Sequence, residues 1–583
     1  MKNPVSGIGR YSDQYHSRVL SWGNAVVREA GILGAAAASV VPIVRGGLLP
    51  APWQMPHAVR ALLRNGSTLA LLAELAATRF PDRAAVVDEF GQLTFAELHR
   101  RAMHIAGALH REQGIGPGST VAILARNHRH FVEALVAGSR LGAELVFLNT
   151  ELTPEQLAKI VRRHQPDLVV LDGEFTAALP RAAYQGPRLT ALPGPEHRGA
   201  SLDSLAASGQ SPPWGRRQGP ITLLTSGTTG LAKSAPRSSN LNASLSLLGT
   251  AIPTLAPGSS EVIYAAPPFF HAFGLAMVAA GLALGATVVT RRRFDAEALL
   301  ADIQRYRVTL LPGVPTMHQR LLDLPAEVRN RYDTSSVRLV VTAAAPLSPG
   351  LAARIMDHFG PVLVNGYGST ELGGVTLAGP EDLRAAPGTV GRPFAGVSVR
   401  ILREDRTPAP TGEVGSVFVL SPMTFAGYSG DADRAKELVD GHLNTGDLGR
   451  LDAAGRLFLE GRDDDMIVSG GENVFTTEVE DVLGEHPEVA DAAVVGVPDE
   501  ELGSRMRAFL VPRHPESPAE PSLAELKDFV RARLERFKAP KEVAFLPEIP
   551  RNATGKVLRT QLRDLPDSAL RFAKGGGHES AED

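Results

Sequence analysis

The chain has 583 residues, 44% of them hydrophobic, more than one compact core can use, so two or more folding units are expected. Its 60 Lys and Arg against 63 Asp and Glu leave a formal charge of −3, without the basic excess that a nucleic-acid-binding surface requires. It contains no cysteine, which excludes disulfides, thiolate metal sites and a cysteine nucleophile, and fits a reducing, cytoplasmic interior.

Residues 1–65 read as an N-terminal extension of distinct character. Lys2, Arg10, Arg18, Arg28, Arg45, Arg60 and Arg64 are set against only Asp13 and Glu29. Within it, Gly31 to Val44 is an uncharged apolar run. A spanning helix needs roughly 18 to 20 such residues, so the run is too short, and Pro42 interrupts it. It also begins too deep for a signal peptide. Two readings stay open: a helix packed on the main body, or peripheral contact with a membrane surface through a basic rim.

From about Ser67 onward, strand-like and helix-like patterns alternate. The segment from Ala84 to His110 gives a short apolar strand, a turn at Gly91, a second strand and then a helix. Thr94 is a plausible N-cap for that helix, with Glu97 three residues later completing a capping box. "STVAILARN" and "AELVFLNT" read as further strands, and Phe131, Ala134 and Leu135 give helical spacing between them. Such alternation predicts an α/β fold, a large domain of mainly parallel sheets covered by helices, over residues 66–463. Near Gly461 the composition changes. A helix, two strands and a helix from Leu526 to Phe537 follow, predicting a small α+β C-terminal domain over 464–574. The Gly-rich polar tail, 575–583, is expected to be disordered.

The segment "ITLLTSGTTGLAKS", Ile221 to Ser234, joins an apolar strand to a loop of glycines, hydroxyl residues and a lysine. Glycines let backbone N–H groups approach phosphate oxygens, hydroxyls add donors, and Lys233 adds a mobile positive charge. Gly227 to Ser234 nearly matches the P-loop pattern, failing where Ala232 replaces the second glycine.

"TSGTTGLAK" resembles the phosphate loop of the adenylate-forming superfamily, which comprises acyl-CoA synthetases, luciferases and the adenylation domains of peptide synthetases. "NGYGSTE" (Asn365 to Glu371), "NTGD" (Asn444 to Asp447), "GRDDDMIVSGGENVFTTEVE" (Gly461 to Glu480) and "PRNATGKVLR" (Pro550 to Arg559) follow in that family's order. The resemblance spans roughly Leu69 to Leu565. It implies a small C-terminal domain that rotates between two half-reactions: formation of an acyl-adenylate from a carboxylic acid and ATP, then thioester formation with coenzyme A (CoA). Transfer to a carrier protein is the alternative acceptor.

The resemblance also implies roles. Thr225, Ser226, Gly227, Thr228, Thr229 and Lys233 would hold the β- and γ-phosphates. Tyr367 would lie against the adenine ring, with Ala344, Ala345 and Pro346 packing alongside. Thr370 would reach the α-phosphate and Glu371 would hold Mg²⁺. Asp447 would accept from the ribose hydroxyls, and Arg462 would contact ribose or phosphate. Lys556 would enter from the small domain and stabilise charge building at the α-phosphate. Asp464 is the implied hinge, and Gly470 and Gly471 the implied passage for the CoA arm. His271, in "PPFFHAFG", would gate or orient the acyl group. Two positions depart from the family's pattern: Ser234 where glycine is usual, and Ser239 where a histidine is usual.

The substrate is read from "HAFGLAMVAAGLALGA" and "LPGVPTMHQRLL", apolar enough to line a hydrocarbon pocket. Arg320, their one fully charged residue, is either solvated or a partner for a second carboxylate. A medium- or long-chain fatty acid is expected, with an aryl acid as the runner-up.

Overall fold

A computed structural model describes residues 52–573 except 67, 195–198, 214–218, 226–232, 238–257, 259, 370, 425–436, 470–471, 500–502, 515–519 and 554. For 225, 233–237, 464, 468–469, 472–473 and 503 the backbone alone is described.

The capping box forms as the sequence predicts. The Thr94 hydroxyl accepts from Glu97 N at 3.2 Å, and the Glu97 carboxylate accepts from Thr94 N at 2.8 Å, opening the helix Phe95–Gln113. The strands Thr120–Leu124 and Glu144–Phe147 flank the helix Arg129–Leu141 and pair in parallel, as expected for a strand–helix–strand unit. They belong to a six-stranded sheet that ends at Ile221–Thr225 and Lys233–Arg237.

A second, larger sheet runs parallel through Ala84–Asp88, Thr287–Val289, Val262–Tyr264, Leu310–Gly313, Leu339–Ala343 and Leu363–Ser369. Helices Leu69–Arg79, Phe95–Gln113, Arg129–Leu141 and Ala272–Leu284 contribute to one continuous core with strands of both sheets. Phe131 spans it, its ring 5.3 Å from that of Phe147 on one side and 5.6 Å from that of Phe269 on the other. Beyond Leu363–Ser369 the larger sheet turns antiparallel, through Gly373–Ala378 and Thr389–Pro393 to the ladder built by Gly415–Leu420, His442–Leu451 and Leu457–Arg462. This antiparallel extension, which seats Asp447, is absent from the sequence expectation.

After the 3-10 turn Asp463–Asp465, the chain builds a four-stranded sheet of Val489–Asp499, Gly503–Pro512, Glu542–Phe545 and Arg571–Phe572. Helices Thr476–Gly484 and Leu523–Arg531 join its core, which is drawn from residues between Ile467 and Ala573. The helix predicted to reach Phe537 stops at Arg531. Past Arg531 the backbone tightens, Arg533 N and Leu534 N both donating to Val530 O at 3.0 and 2.8 Å, which ends the helix while Leu534 stays against the same core and Phe537 is exposed on a separate 3-10 turn. Among the described residues no helix is long and apolar enough to cross a membrane. The apolar run Gly31 to Val44 and the tail 575–583 lie outside the described residues.

Candidate active site

Thr225, Ala343–Ala345, the Tyr367 segment and the loop leading to His271 lie at the carboxyl ends of parallel strands, where an open α/β sheet leaves a crevice between diverging loops. Thr225 and Lys233 are register partners at the tips of their strands, so the ends of the phosphate loop are held together. Ser226, Gly227, Thr228 and Thr229 lie outside the described residues, as do Ser239, Thr370, Gly470 and Gly471. Ser234 sits on the strand Lys233–Arg237, facing Leu224 in register.

Tyr367, Asp447 and Arg462 are brought together from sequence positions far apart. Asp447 and Arg462 are cross-strand partners, and Arg462 Nη1 lies 3.5 Å from Asp447 Oδ1. The Tyr367 hydroxyl donates to Asp447 Oδ2. Burial, with the Asp447 carboxylate beside it, holds the phenol well above its usual range, so it stays a donor. Thr445 fixes the backbone that carries this carboxylate: its Oγ1 accepts from Asp447 N at 3.0 Å and donates to Val417 O at 3.0 Å. The carboxylate is thus fixed as an acceptor, which a ribose diol requires.

The strand carrying Tyr367 is shaped by its glycines. A Cβ at Gly368 would meet Gly373 O at 2.2 Å, so only glycine lets the backbones of the two strands approach this closely. Glu371 follows in the turn between them, half-buried. On the neighbouring strand Ala343 pairs with Gly366, and Ala344 then turns sharply at φ +72°. A non-glycine residue in the left-handed region is strained. Here it directs the exposed Ala344 and half-buried Ala345 out at the strand tip, next to the Tyr367 strand.

His271 precedes the helix Ala272–Leu284, and its Nδ1 is buried without a partner. Burial pushes the imidazole down to about 4, so it is neutral near pH 7. The helix it begins is absorbed largely by packing between the sheets: Val278 and Leu282 are buried, and Met277, Ala280 and Leu284 lie against Ile263, Leu310 and Val364. Most of the run read as a pocket lining is therefore core. Arg320 is exposed at the end of the helix Pro315–Leu322, which favours its solvated reading.

Lys556 sits on a tight hairpin. Asn552 N donates to Lys556 O at 2.9 Å, Lys556 N donates to Asn552 Oδ1 at 2.9 Å, and Gly555 takes φ +77°. Arg551 clamps the hairpin from inside, donating to Gly555 O at 2.8 Å and to both Asp491 oxygens at 2.7 and 3.0 Å. The hairpin rests on the large domain. Ala553 N donates to the Glu151 carboxylate, Ala553 packs on the inter-sheet core, and Gly555 lies over Val314 and Thr316. Gln319 Nε2 donates to Ala490 O at 2.6 Å beside it.

A model of the AMP-binding enzyme family matches residues 73–429, and that of the AMP-binding enzyme C-terminal domain matches residues 478–556. The chain belongs to the AMP-binding enzyme family. It is 36% identical over 509 residues to a (methyl-dioxo-octahydro-indenyl)propanoyl:CoA ligase of Mycobacterium tuberculosis, covering 84% of this chain and 96% of the relative. It is 33% identical over 489 residues to a feruloyl-CoA synthase of an Amycolatopsis species, covering 83% and 96%. Among solved structures, the o-succinylbenzoate CoA synthetase of Bacillus subtilis, in complex with its acyl-adenylate intermediate, superposes with a TM-score of 0.74 at 28% identity, covering 86% of this chain and 99% of that one. The chain is accordingly an AMP-forming acid–thiol ligase, with the large α/β domain and smaller C-terminal domain of that fold.

Three residues that sequence reasoning left without a role support this AMP-binding enzyme's site. Asn127 ties the two sheets together at their carboxyl edges. Its Oδ1 accepts from Phe269 N at 2.8 Å, and its Nδ2 donates to Pro267 O at 3.0 Å and to Ala265 O at 3.3 Å. That fixes the "PPFF" loop leading into His271. Its signal was a lone asparagine just past an apolar strand. Arg559 and Glu480 pair at 2.5 Å, and Arg559 Nε lies 3.5 Å from Asp465 beside the turn that carries Asp464. Both lie inside recognised motifs.

Proposed function

We propose that this enzyme converts a hydrophobic, ring-bearing carboxylic acid to its CoA thioester through two half-reactions at one site. In the first, a carboxylate oxygen attacks the α-phosphorus of ATP and the bond to pyrophosphate breaks, giving acyl-adenylate. In the second, the CoA sulfur attacks the acyl carbon and the bond to AMP breaks, giving the thioester. The observation that carries this reading is the Lys556 hairpin seated just past the carboxyl end of Leu310–Gly313, two strands from Leu363–Ser369, which carries Tyr367.

In this scheme Asp447 accepts from the ribose, Arg462 adds positive charge beside it, and Tyr367 offers its ring face to adenine while its hydroxyl steadies Asp447. Ala344 and Ala345 flank the base. The loop from Thr225 through Ser226, Gly227, Thr228 and Thr229 to Lys233 wraps the outer phosphates, Thr370 reaches the α-phosphate, and Lys556 offsets the charge that develops there. Glu371 would hold Mg²⁺, whose charge neutralises phosphate oxygens. A single half-buried carboxylate suits an ion that takes its other ligands from phosphate and water. Neutral His271 borders the acyl group without adding charge. Rotation about Asp464 would withdraw Lys556 and admit the CoA arm past Gly470 and Gly471.

A ring-bearing acid is supported by the relatives' named activities and by the absorption of the helix Ala272–Leu284 into the core. A medium- or long-chain fatty acid is the second reading, favoured by the exposed apolar side chains on the helix Met55–Asn65. The test is AMP formation across acids of both kinds, with and without CoA. Lys556→Ala should lose pyrophosphate release. Equal turnover without CoA in the presence of a carrier protein would overturn the acceptor, and preference for long unbranched acids would overturn the ring.

A further inference from the structure

The helix Met55–Asn65 presents three faces with different chemistry. One is fastened to the protein: Ala61 and Asn65 are buried, Asn65 Nδ2 donates to Glu74 Oε2 at 2.7 Å, and Arg140 Nη1 donates to Asn65 Oδ1 at 3.0 Å. A second face carries Met55, Val59, Leu62 and Leu63. Their i, i+4, i+7, i+8 spacing sets them along one apolar stripe of roughly 120°. They are 48%, 52%, 48% and 63% exposed, and Trp53, one turn ahead, is 79% exposed. These five make up most of the large hydrophobic side chains exposed among the described residues. The third face, between these two, carries His57, Arg60 and Arg64; Arg64 is paired with Glu74 Oε1 at 3.2 Å, which leaves Arg60 to carry the positive charge beside the stripe, and no acidic residue occurs from Pro52 to Asn65.

We propose that this stripe is a docking surface for an anionic lipid bilayer, on which the helix lies flat. Charge complementarity selects this occupant. The charged parts of the chain's own preceding segment, where Arg18, Arg28 and Arg45 outnumber Asp13 and Glu29, would bring positive charge against Arg60. A second copy facing the first would set each Arg60 against another. An anionic headgroup layer instead meets the basic border while the apolar side chains enter the acyl boundary, the arrangement of an in-plane amphipathic helix. An 11-residue helix is roughly 16 Å long and cannot span the bilayer core, so it rests at the interface, where an exposed tryptophan also prefers to sit. The fastened face keeps the stripe turned outward, so docking requires no rearrangement of the body.

The test is cosedimentation of the full chain with vesicles of phosphatidylcholine alone or mixed with phosphatidylglycerol, at low and high salt. Binding is expected to the anionic vesicles, weakened by salt, and reduced about a hundredfold in a Val59→Glu, Leu63→Glu double variant. The double variant should keep wild-type AMP formation with a water-soluble acid, which separates failure here from failure of the proposed reaction. Arg60→Glu, which leaves the apolar stripe intact, should lose the preference for anionic vesicles. Failure of the full chain to sediment, binding unchanged in the double variant, or binding indifferent to Arg60→Glu would each overturn the proposal. So would a concentration-dependent dimer abolished by the double variant, which would identify a second copy as the occupant.

Discussion

Replacing Gly555 by alanine should separate the two half-reactions. A Cβ at this position would lie 2.7 Å from Thr316 Oγ1 and 3.4 Å from Val314 Cγ2. Two penalties follow, and they act differently. The backbone, at φ +77°, costs a non-glycine residue roughly 1–2 kcal/mol. That strain stays with the hairpin wherever the small domain lies, because Arg551 and Asn552 hold its shape from within. The clash with Thr316 exists only while the hairpin rests on the large domain. Overpacking of this kind costs roughly 1–3 kcal/mol, which depopulates the docked arrangement about 5- to 150-fold. In the proposed reaction adenylation requires Lys556 at the site, so acid-dependent pyrophosphate release should fall by that factor. Transfer to CoA from acyl-adenylate supplied ready-made should stay within about twofold. Adding Thr316→Ala removes the clashing hydroxyl and should restore most of the adenylation rate, a coupling of roughly 1–2 kcal/mol in a double-mutant cycle. Equal loss in both half-reactions, or no rescue by Thr316→Ala, would refute the reasoning.

Three further outcomes are expected. Tyr367→Phe removes a donor to the Asp447 carboxylate, and since hydrogen bonds to charged groups contribute about 1.5–3 kcal/mol, KM for ATP should rise roughly tenfold or more with a smaller change in kcat; an unchanged KM would show that Asp447 does not depend on the phenol. Asn127→Ala leaves Pro267 O and Phe269 N short of partners, Ala265 O keeping the Thr290 hydroxyl, and should cost roughly 1–3 kcal/mol in thermal unfolding, whereas Asn127→Asp, which cannot donate to the carbonyls, should cost more; a wild-type Tm in either variant counts against the strap. Burial also pushes fully buried His318 down to about 4, below its ordinary 6.5. The unfolded chain then takes up the proton first, so its contribution to stability is complete above about pH 6.5 and is lost as pH falls towards 4, by about 3 kcal/mol at that point. Thermal melts across this range should show a shallower acid slope in His318→Met, and identical slopes would place the acid loss elsewhere.

What the sequence revealed and what it concealed follow from the range of the interactions involved. The Thr94–Glu97 capping box and the strand–helix–strand unit around Arg129–Leu141 rest on neighbours a few residues apart, and both form as expected. The segment that folds as the antiparallel layer from Thr389 to Arg462 carries no comparable local signal. Its strands are largely half-buried, and their pairing joins Asp447 to Arg462 and Phe418 to Asn444, partners distant in sequence. The premature end of the helix at Arg531 has the same origin, since only the fold shows Arg533 N and Leu534 N both turning onto Val530 O. At the site, motif recognition named Tyr367, Asp447, Arg462 and Lys556, but not the tie between Tyr367 and Asp447. It gave no hint of Ala344's left-handed turn, whose strain is invisible in an alanine. Asn127 was equally hidden, because its partners are backbone groups more than a hundred residues away.

The contacts that hold the small domain together differ in kind from those that hold it against the large one. Inside, Arg559 donates to Glu480 and to Val494 O, both at 2.5 Å, and reaches Asp465 in the turn that joins the domains. Arg551 locks the hairpin to Asp491 on the adjacent strand. Breaking either of these half-buried, charge-assisted ties would strand a guanidinium and a carboxylate, so the hairpin, the sheet and the turn have reason to move as one body. Across the domain boundary, by contrast, the polar contacts described on Lys556's side include a single amide from Gln319 and one backbone N–H on Glu151, beside the packing of Ala553 on the inter-sheet core and the close fit of Gly555 over Val314 and Thr316. Each of these polar contacts exchanges readily with water, so releasing the hairpin carries little desolvation penalty. A firm interior beside a light seat is what the proposed rotation about Asp464 requires. Lys556 can then be delivered as part of a rigid body for adenylation and removed intact for thioester formation, and the glycine that makes its seat fit is where the two steps can be told apart.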